Sequence, residues 1–285
     1  DTGQSIRSPA SANNLVGLRP TRGLVSRRGV IPVSVTQDEV GPITRTVEDA
    51  ARLLDVMAGV DPEEPITASG IGHQPPTYTA FLTRDGLRGA RIGVLREFFG
   101  NRVVHADVNQ VMAAAIVAMR AQGARLEDVA IPGLAELTTD MATGPYETRG
   151  ALNAYLRSLG SAAPVPSLAA LITGGRFHPA IAAQLREAAT SAGTDAPAYA
   201  AIFVRRDRLR TAVLAAMARH RLDAVLYPHQ RRLVAAIGDE QLERNGVLSN
   251  GTGFPALTIP AGFSPATATA PLGVPVGLEL LGREW

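Results

Sequence analysis

Apolar positions recur at two spacings along this chain, and the change from one to the other lays out its elements. Between Thr46 and Gly59 the spacing is helical. Thr46-Val47-Glu48-Asp49 carries a capping-type signature, and Val47, Ala50, Leu53, Leu54 and Met57 then share one face. Residues 61–76 hold four prolines with Gly and Ser, which predicts a surface connection. Residues 90–95 form a short apolar run introduced by Gly86 and Gly89, and predict a buried strand. A long helical pattern covers residues 106–122, Gly123 closes it, and residues 126–131 predict the next strand. Strand, helix and strand at this spacing describe a crossover unit with parallel pairing. Residues 134–218 are helical in pattern and rich in Ala, with breaks at 160–166, 174–175 and 193–197. Residues 223–228 predict a short strand ended by Pro228, and residues 256–260 and 274–281 supply late strands rich in β-branched and aliphatic side chains. Residues 15–34 alternate apolar runs with Gly and Pro, as short strands and turns do.

Composition narrows the class. The chain has 285 residues, 46% of them hydrophobic and 19% charged, which suits a folded core and not a disordered segment. With no cysteine, it has no disulfide, thiolate metal site or cysteine nucleophile. The net charge is only +2, and the one basic cluster, Arg205-Arg206-Asp207-Arg208-Leu209-Arg210, reads as the solvated face of a helix rather than a nucleic-acid patch. No stretch has the roughly 18 uninterrupted apolar residues of a membrane span. Neither a phosphate loop, a dinucleotide glycine pattern, a metal-spaced cluster nor a solenoid-like repeat is present.

The candidate chemistry lies in the first ten residues, Asp1-Thr2-Gly3-Gln4-Ser5-Ile6-Arg7-Ser8-Pro9-Ala10. A serine after a small-residue loop, flanked by an acid and an arginine and followed by proline, describes a tight turn presenting a hydroxyl. Acyl transfer needs such a hydroxyl, with backbone N–H groups about 3 Å from the developing oxyanion, and Gly3 lets the backbone approach. The same residues fit a plainer role, in which Ser5 or Ser8 caps the next helix and Pro9 sits in its first turn.

This decapeptide resembles the second half of the amidase signature. The likeness continues through Gly17-Leu18-Arg19-Pro20-Thr21-Arg22-Gly23-Leu24-Val25-Ser26, with arginine where the family has lysine, and through Gly41-Pro42-Ile43-Thr44-Arg45-Thr46-Val47-Glu48-Asp49-Ala50. Thr252-Gly253-Phe254-Pro255-Ala256-Leu257-Thr258-Ile259-Pro260 and Gly273-Val274-Pro275-Val276-Gly277-Leu278-Glu279-Leu280-Leu281-Gly282-Arg283 resemble its closing blocks.

The resemblance implies one α/β domain over residues 1–285, a twisted mixed β-sheet flanked by α-helices. It also implies a serine amidohydrolase with a Ser–Ser–Lys triad that needs neither metal nor cofactor. Ser5 falls on the nucleophile. Thr2, Gly3, Gln4 and Ser5 fall on the oxyanion turn, and Asp1 and Arg7 on the residues that brace it. Gln4 stands where the family most often has glycine. The lysine and bridging serine of the family precede the nucleophile, and residues 1–285 contain no lysine. Arginine is no substitute base, because its pKa above ~12 leaves no free base near neutral pH. The expectation is therefore a partial chain, inactive alone, of a parent that hydrolyses a small, aryl or peptide amide. Expected alternatives are a non-catalytic scaffold and the glutaminase-type subunit of a tRNA-dependent amidotransferase. A cytoplasmic location is expected, and a homodimer is compatible with the reading. Among Tyr146, Glu147, Arg149, Asn153 and Tyr155, polar and aromatic groups on neighbouring turns fit either a substrate cleft or an ordinary helix surface. Tyr146, Tyr227 and His229 are the expected substrate contacts, although nothing in the sequence ties His229 to Ser5.

Overall fold

The structure is a computed structural model describing residues 1–285. Its strands are β1 (Val16–Arg19), β2 (Ile43–Thr44), β3 (Arg91–Leu95), β4 (Arg125–Val129), β5 (Ala224–Pro228), β6 (Ala256–Phe263) and β7 (Pro275–Leu281). Its α-helices are α1 (Arg7–Ala12), α2 (Val47–Met57), α3 (Ala106–Ala121), α4 (Leu134–Leu137), α5 (Gly144–Ser158), α6 (Leu168–Gly174), α7 (Ala182–Thr190), α8 (Pro197–His220) and α9 (Val247–Thr252). The strands form one mixed sheet in the order β2-β1-β6-β7-β5-β3-β4. The β3–α3–β4 crossover makes a parallel pair as its spacing predicts, β5 joins β3 in parallel, and the remaining pairs are antiparallel.

Period-two alternation along the strands feeds two cores. Val225, Tyr227 and Leu281 pack on one face with Leu209, Val213 and Met217 of α8. Leu226, Val276 and Leu278 point the other way, onto Val108, Met112 and Ile116 of α3. Helices α5, α6 and α7 bury a smaller cluster of their own around Leu152, Leu168 and Leu185.

Local signals act largely as read. The Thr46 hydroxyl accepts from the Asp49 N–H and starts α2. The predicted apolar face of α2 is only partly realised, since Ala50, Ala51 and Leu54 are buried while Val47 and Leu53 stay exposed. The arginine cluster departs further from expectation. Arg206 is buried and donates to the Met141 carbonyl and the Thr143 hydroxyl, and Arg210 lies over the Phe254 ring. Asp207 and Arg208 stay exposed on the solvated face that was expected, whereas burial lowers the Arg206 pKa to about 10.

Helix α1 crosses the sheet on β1, β6 and β7. That approach depends on Gly277, where a Cβ would collide with the Ser11 side chain. The Ser11 hydroxyl instead accepts the Gly277 N–H at 3.0 Å. Helix α1 is thereby fixed on the strands, and with it the turn that precedes it.

Candidate active site

Residues 1–6 form a turn tied down on its carbonyl side. The Asp1 carboxylate accepts from the Ile6 N–H at 3.1 Å, Arg7 Nε at 3.3 Å and Arg19 Nη1 at 2.9 Å. Arg7 Nη2 donates to the Gly3 carbonyl at 2.5 Å and to the Gly246 carbonyl at 3.2 Å, and Nη1 donates to Glu279 at 2.7 Å. The side chains of Asp1 and Arg7 are both wholly buried. A buried guanidinium with three anchoring directions holds the turn rigidly, because a buried charge that gives up a partner finds no water to replace it. The Thr2 hydroxyl adds a bond of 2.5 Å to Asp38, which itself accepts the Val33 and Ser34 N–H groups.

The donor side of this turn is free. None of the N–H groups of Thr2, Gly3, Gln4 and Ser5 donates to an acceptor within the chain, whereas those of Ile6 and Ser8 are both used. Ser5 is exposed and its hydroxyl has no protein partner. Neither Ser5 nor Ser8 caps α1. Its first flanking residue is Ile6, with no side-chain cap, and Ser8 lies inside the helix together with Pro9. The turn also rests against Gly246, where a Cβ would come within 2.5 Å of Gln4 Cγ. Gln4 thus packs backward. At Gly3 a Cβ would meet nothing closer than Asn250 at 3.6 Å, so the tight contact between the turn and the rest of the chain is the one at Gly246.

Two cavities flank the turn. One, of about 480 Å³, is lined by Gly3, Gln4, Ser5, Ser8, Pro9 and Arg244. The other, of about 320 Å³, includes Thr2, Gly3, Met141, Pro145 and Asn250. A third hollow, of about 420 Å³, is lined by Arg22, Arg206 and Arg210 among others and does not include Ser5. The residues that carry the unpartnered amides and hydroxyl line the first two.

Two of the expected substrate contacts are buried side chains. Tyr227 is wholly buried, donates to Glu279 at 2.8 Å and packs edge-on against Phe98. His229 is also wholly buried; its Nδ1 lies 2.5 Å from Glu279 and its Nε2 lies 2.9 Å from the Ser8 hydroxyl. Neither side chain lines the two cavities that flank the turn. Tyr146 lines hollows that contain neither Ser5 nor its turn. Its neighbours hold structure together: Glu147 is buried and accepts from Ser34, Thr36 and Tyr199, Asn153 caps α6, and Arg149 bonds the Ala189 carbonyl.

Glu279 is the residue that sequence reasoning missed. Burial would raise its pKa, but the charge of Arg7 and hydrogen bonds from His229 and Tyr227 outweigh that and hold it at about 2. Burial in turn lowers the pKa of His229, against the pull of Glu279, so the imidazole is neutral. The available signal was a lone carboxylate in the apolar run Gly277-Leu278-Glu279-Leu280-Leu281, which demands a buried cation. Among the remaining groups, no cluster of three or more His, Cys, Asp or Glu side chains is arranged to hold a metal.

A family model described as Amidase matches residues 1–285. A glutamyl-tRNA(Gln) amidotransferase subunit of Microcystis aeruginosa is 32% identical over 299 residues, covering 99% of this chain and 59% of that protein. A probable amidase of Arabidopsis thaliana is 30% identical, covering 99% of this chain and 52% of its own length. The native peptide amidase of Stenotrophomonas maltophilia superposes with a TM-score of 0.84 at 34% identity, over all of this chain and 58% of that one. The chain therefore spans little more than half the length of these relatives.

Proposed function

The chain belongs to the amidase family, and on that footing we propose that the protein containing it hydrolyses a carboxylic amide through an acyl-enzyme on Ser5. One observation carries this reading: an exposed, unpartnered hydroxyl stands at a turn whose four N–H groups are all unpartnered while Asp1 and Arg7 hold the rest of the turn still. Preorganised N–H donors of this kind stabilise a tetrahedral oxyanion without reorganising, and removing one typically costs about 10²–10³ in rate. Ser5 Oγ attacks the amide carbonyl, the amides of Gly3 to Ser5 receive the oxyanion, the amine leaves protonated, and water releases the acid. The resemblance assigns proton transfer to a lysine acting through a second serine. Residues 1–285 contain no lysine, so that pair lies outside them and these residues alone are inactive in this reading.

The substrate class is a small, aryl or peptide amide, and the activity for which the Stenotrophomonas relative is named favours the last. Turnover of a panel of amides by the intact protein tests this, together with labelling by a fluorophosphonate. Loss of turnover by at least ~10³-fold in Ser5→Ala supports it; unchanged turnover in that variant refutes it. A second reading, in which the protein is the glutaminase-type component of an amidotransferase, is favoured by the Microcystis relative. Co-purification of partner subunits with glutamine-dependent transfer separates it from a protein active by itself or as a homodimer.

A further inference from the structure

Ser8 and His229 have no part in the Ser5 chemistry and Glu279 bears on it only by anchoring Arg7, yet the three side chains are joined in one line. Glu279 Oε2 lies 2.5 Å from His229 Nδ1, and His229 Nε2 lies 2.9 Å from Ser8 Oγ. The direction of each proton follows from the partners. Glu279 faces only donors, namely Arg7 Nη1 at 2.7 Å, the Tyr227 hydroxyl at 2.8 Å and the Thr258 hydroxyl at 3.4 Å, so it is ionised and can only accept. The His229 proton therefore sits on Nδ1. Nε2 is left with a lone pair, and the Ser8 O–H donates into it.

This is the tautomer and orientation that a serine–histidine–carboxylate set requires. His229 and Glu279 are both wholly buried, while Ser8 is half-buried on the wall of the 480 Å³ cavity. The imidazole thus communicates with that cavity through the Ser8 hydroxyl. No protein donor occupies the lone pairs of Ser8 Oγ. The same cavity is lined by Gly3, Gln4 and Ser5, whose amides are unpartnered, and by Arg244, which makes no ion pair.

We propose that Ser8 is a second nucleophile, with His229 as its base and Glu279 as the group that orients the base, acting on small carboxylic esters that enter the Ser8–Arg244 cavity. The Ser8 Oγ–acyl bond forms as its proton passes to His229 Nε2. The ester C–O bond then breaks, and the alcohol leaves with that proton. Water, deprotonated by His229, hydrolyses the acyl group and restores the hydroxyl. This activity is independent of the lysine-dependent reaction proposed for Ser5.

The test is site mapping of a fluorophosphonate adduct on the intact protein. Trypsin cuts after Arg7 and so separates Ser5 from Ser8, which falls in the peptide 8–22 because Pro20 blocks cleavage after Arg19. In Ser5→Ala the adduct is expected on Ser8, with p-nitrophenyl ester hydrolysis retained, and both are lost on adding Ser8→Ala. His229→Gln is expected to slow Ser8 labelling at least ~10²-fold. Because that variant replaces a core side chain, the wild-type adduct map serves as a readout that needs no substitution. An adduct confined to Ser5, no adduct at all, or Ser8 labelling at an unchanged rate in folded His229→Gln overturns the proposal. Labelling on Ser5 alone leaves the amidase reading standing, and labelling on Ser8 alone overturns that reading and supports this one.

Discussion

Replacing Glu279 by glutamine tests the electrostatic frame on which the turn depends. Glu279 has a folded pKa of about 2 against an ordinary 4.5, set by Arg7 and by hydrogen bonds from His229 and Tyr227 against the penalty of burial. The folded pKa is the lower one, so the contribution to stability is fully present above pH 4.5 and is lost as the pH falls toward 2. At ~1.36 kcal/mol per pH unit, 2.5 units correspond to about 3 kcal/mol at pH 7. At pH 3 the wild-type residue is one unit above its folded pKa, and about 1 kcal/mol remains. Both partners are wholly buried, so solvent screening does not discount these figures. Glutamine keeps the shape, but its NH2 group must face either the Arg7 and Tyr227 donors or the His229 and Thr258 donors, as the O–H of a protonated Glu279 must. Urea unfolding followed by far-ultraviolet circular dichroism should therefore show E279Q less stable than wild type by about 3 kcal/mol at pH 7 and by about 1 kcal/mol at pH 3. A penalty equal at both pH values, or none at pH 7, would refute an ionised Glu279 and with it the assigned His229 tautomer.

Other outcomes follow from the same geometry. Ser5→Ala should leave Tm within about 1 °C of wild type, because the exposed hydroxyl has no partner to lose, while amide turnover falls at least ~10³-fold; calorimetry beside a steady-state assay checks both. Glu39 is buried with neither carboxylate oxygen hydrogen-bonded, its one ion pair being a long one of 3.8 Å to Arg22, and burial raises its pKa to about 7 against the pull of Arg19, Arg27 and Arg22. Its stabilising contribution is present below pH 4.5 and lost as pH rises through 7. Glu39→Gln should accordingly gain up to about 3 kcal/mol over wild type at pH 8.5 and nothing at pH 4, measured by urea unfolding. Gly277→Ala pushes a methyl against Ser11 and should cost about 1–3 kcal/mol, part of which Ser11→Gly recovers in the double variant.

Some of this protein is legible residue by residue because the physics is local. The Thr46 cap, the breaks at Gly175 and Gly193, and the β3–α3–β4 crossover depend on φ/ψ preference and on apolar spacing within a few turns of chain. The turn over residues 1–6 was legible for the same reason, as its brace from Asp1 to Arg7 spans six residues. The exposed Val47 and Leu53 show where periodicity stops informing: it marks which side chains can share a face, and the packing partners decide which of them are covered.

Long-range electrostatics was decided by the tertiary structure alone. Arg7 and Glu279 stand 272 residues apart in sequence, Ser8 and His229 stand 221 apart, and neither pair leaves a mark in local pattern. A buried arginine and a buried glutamate each announce only that a partner must exist, since an unpaired charge in the core costs several kcal/mol. Which partner it is depends on the order of strands in the sheet, where β7 lies beside β5 and beneath α1, so that His229 after β5, Glu279 on β7 and Ser8 in α1 come within hydrogen-bonding reach.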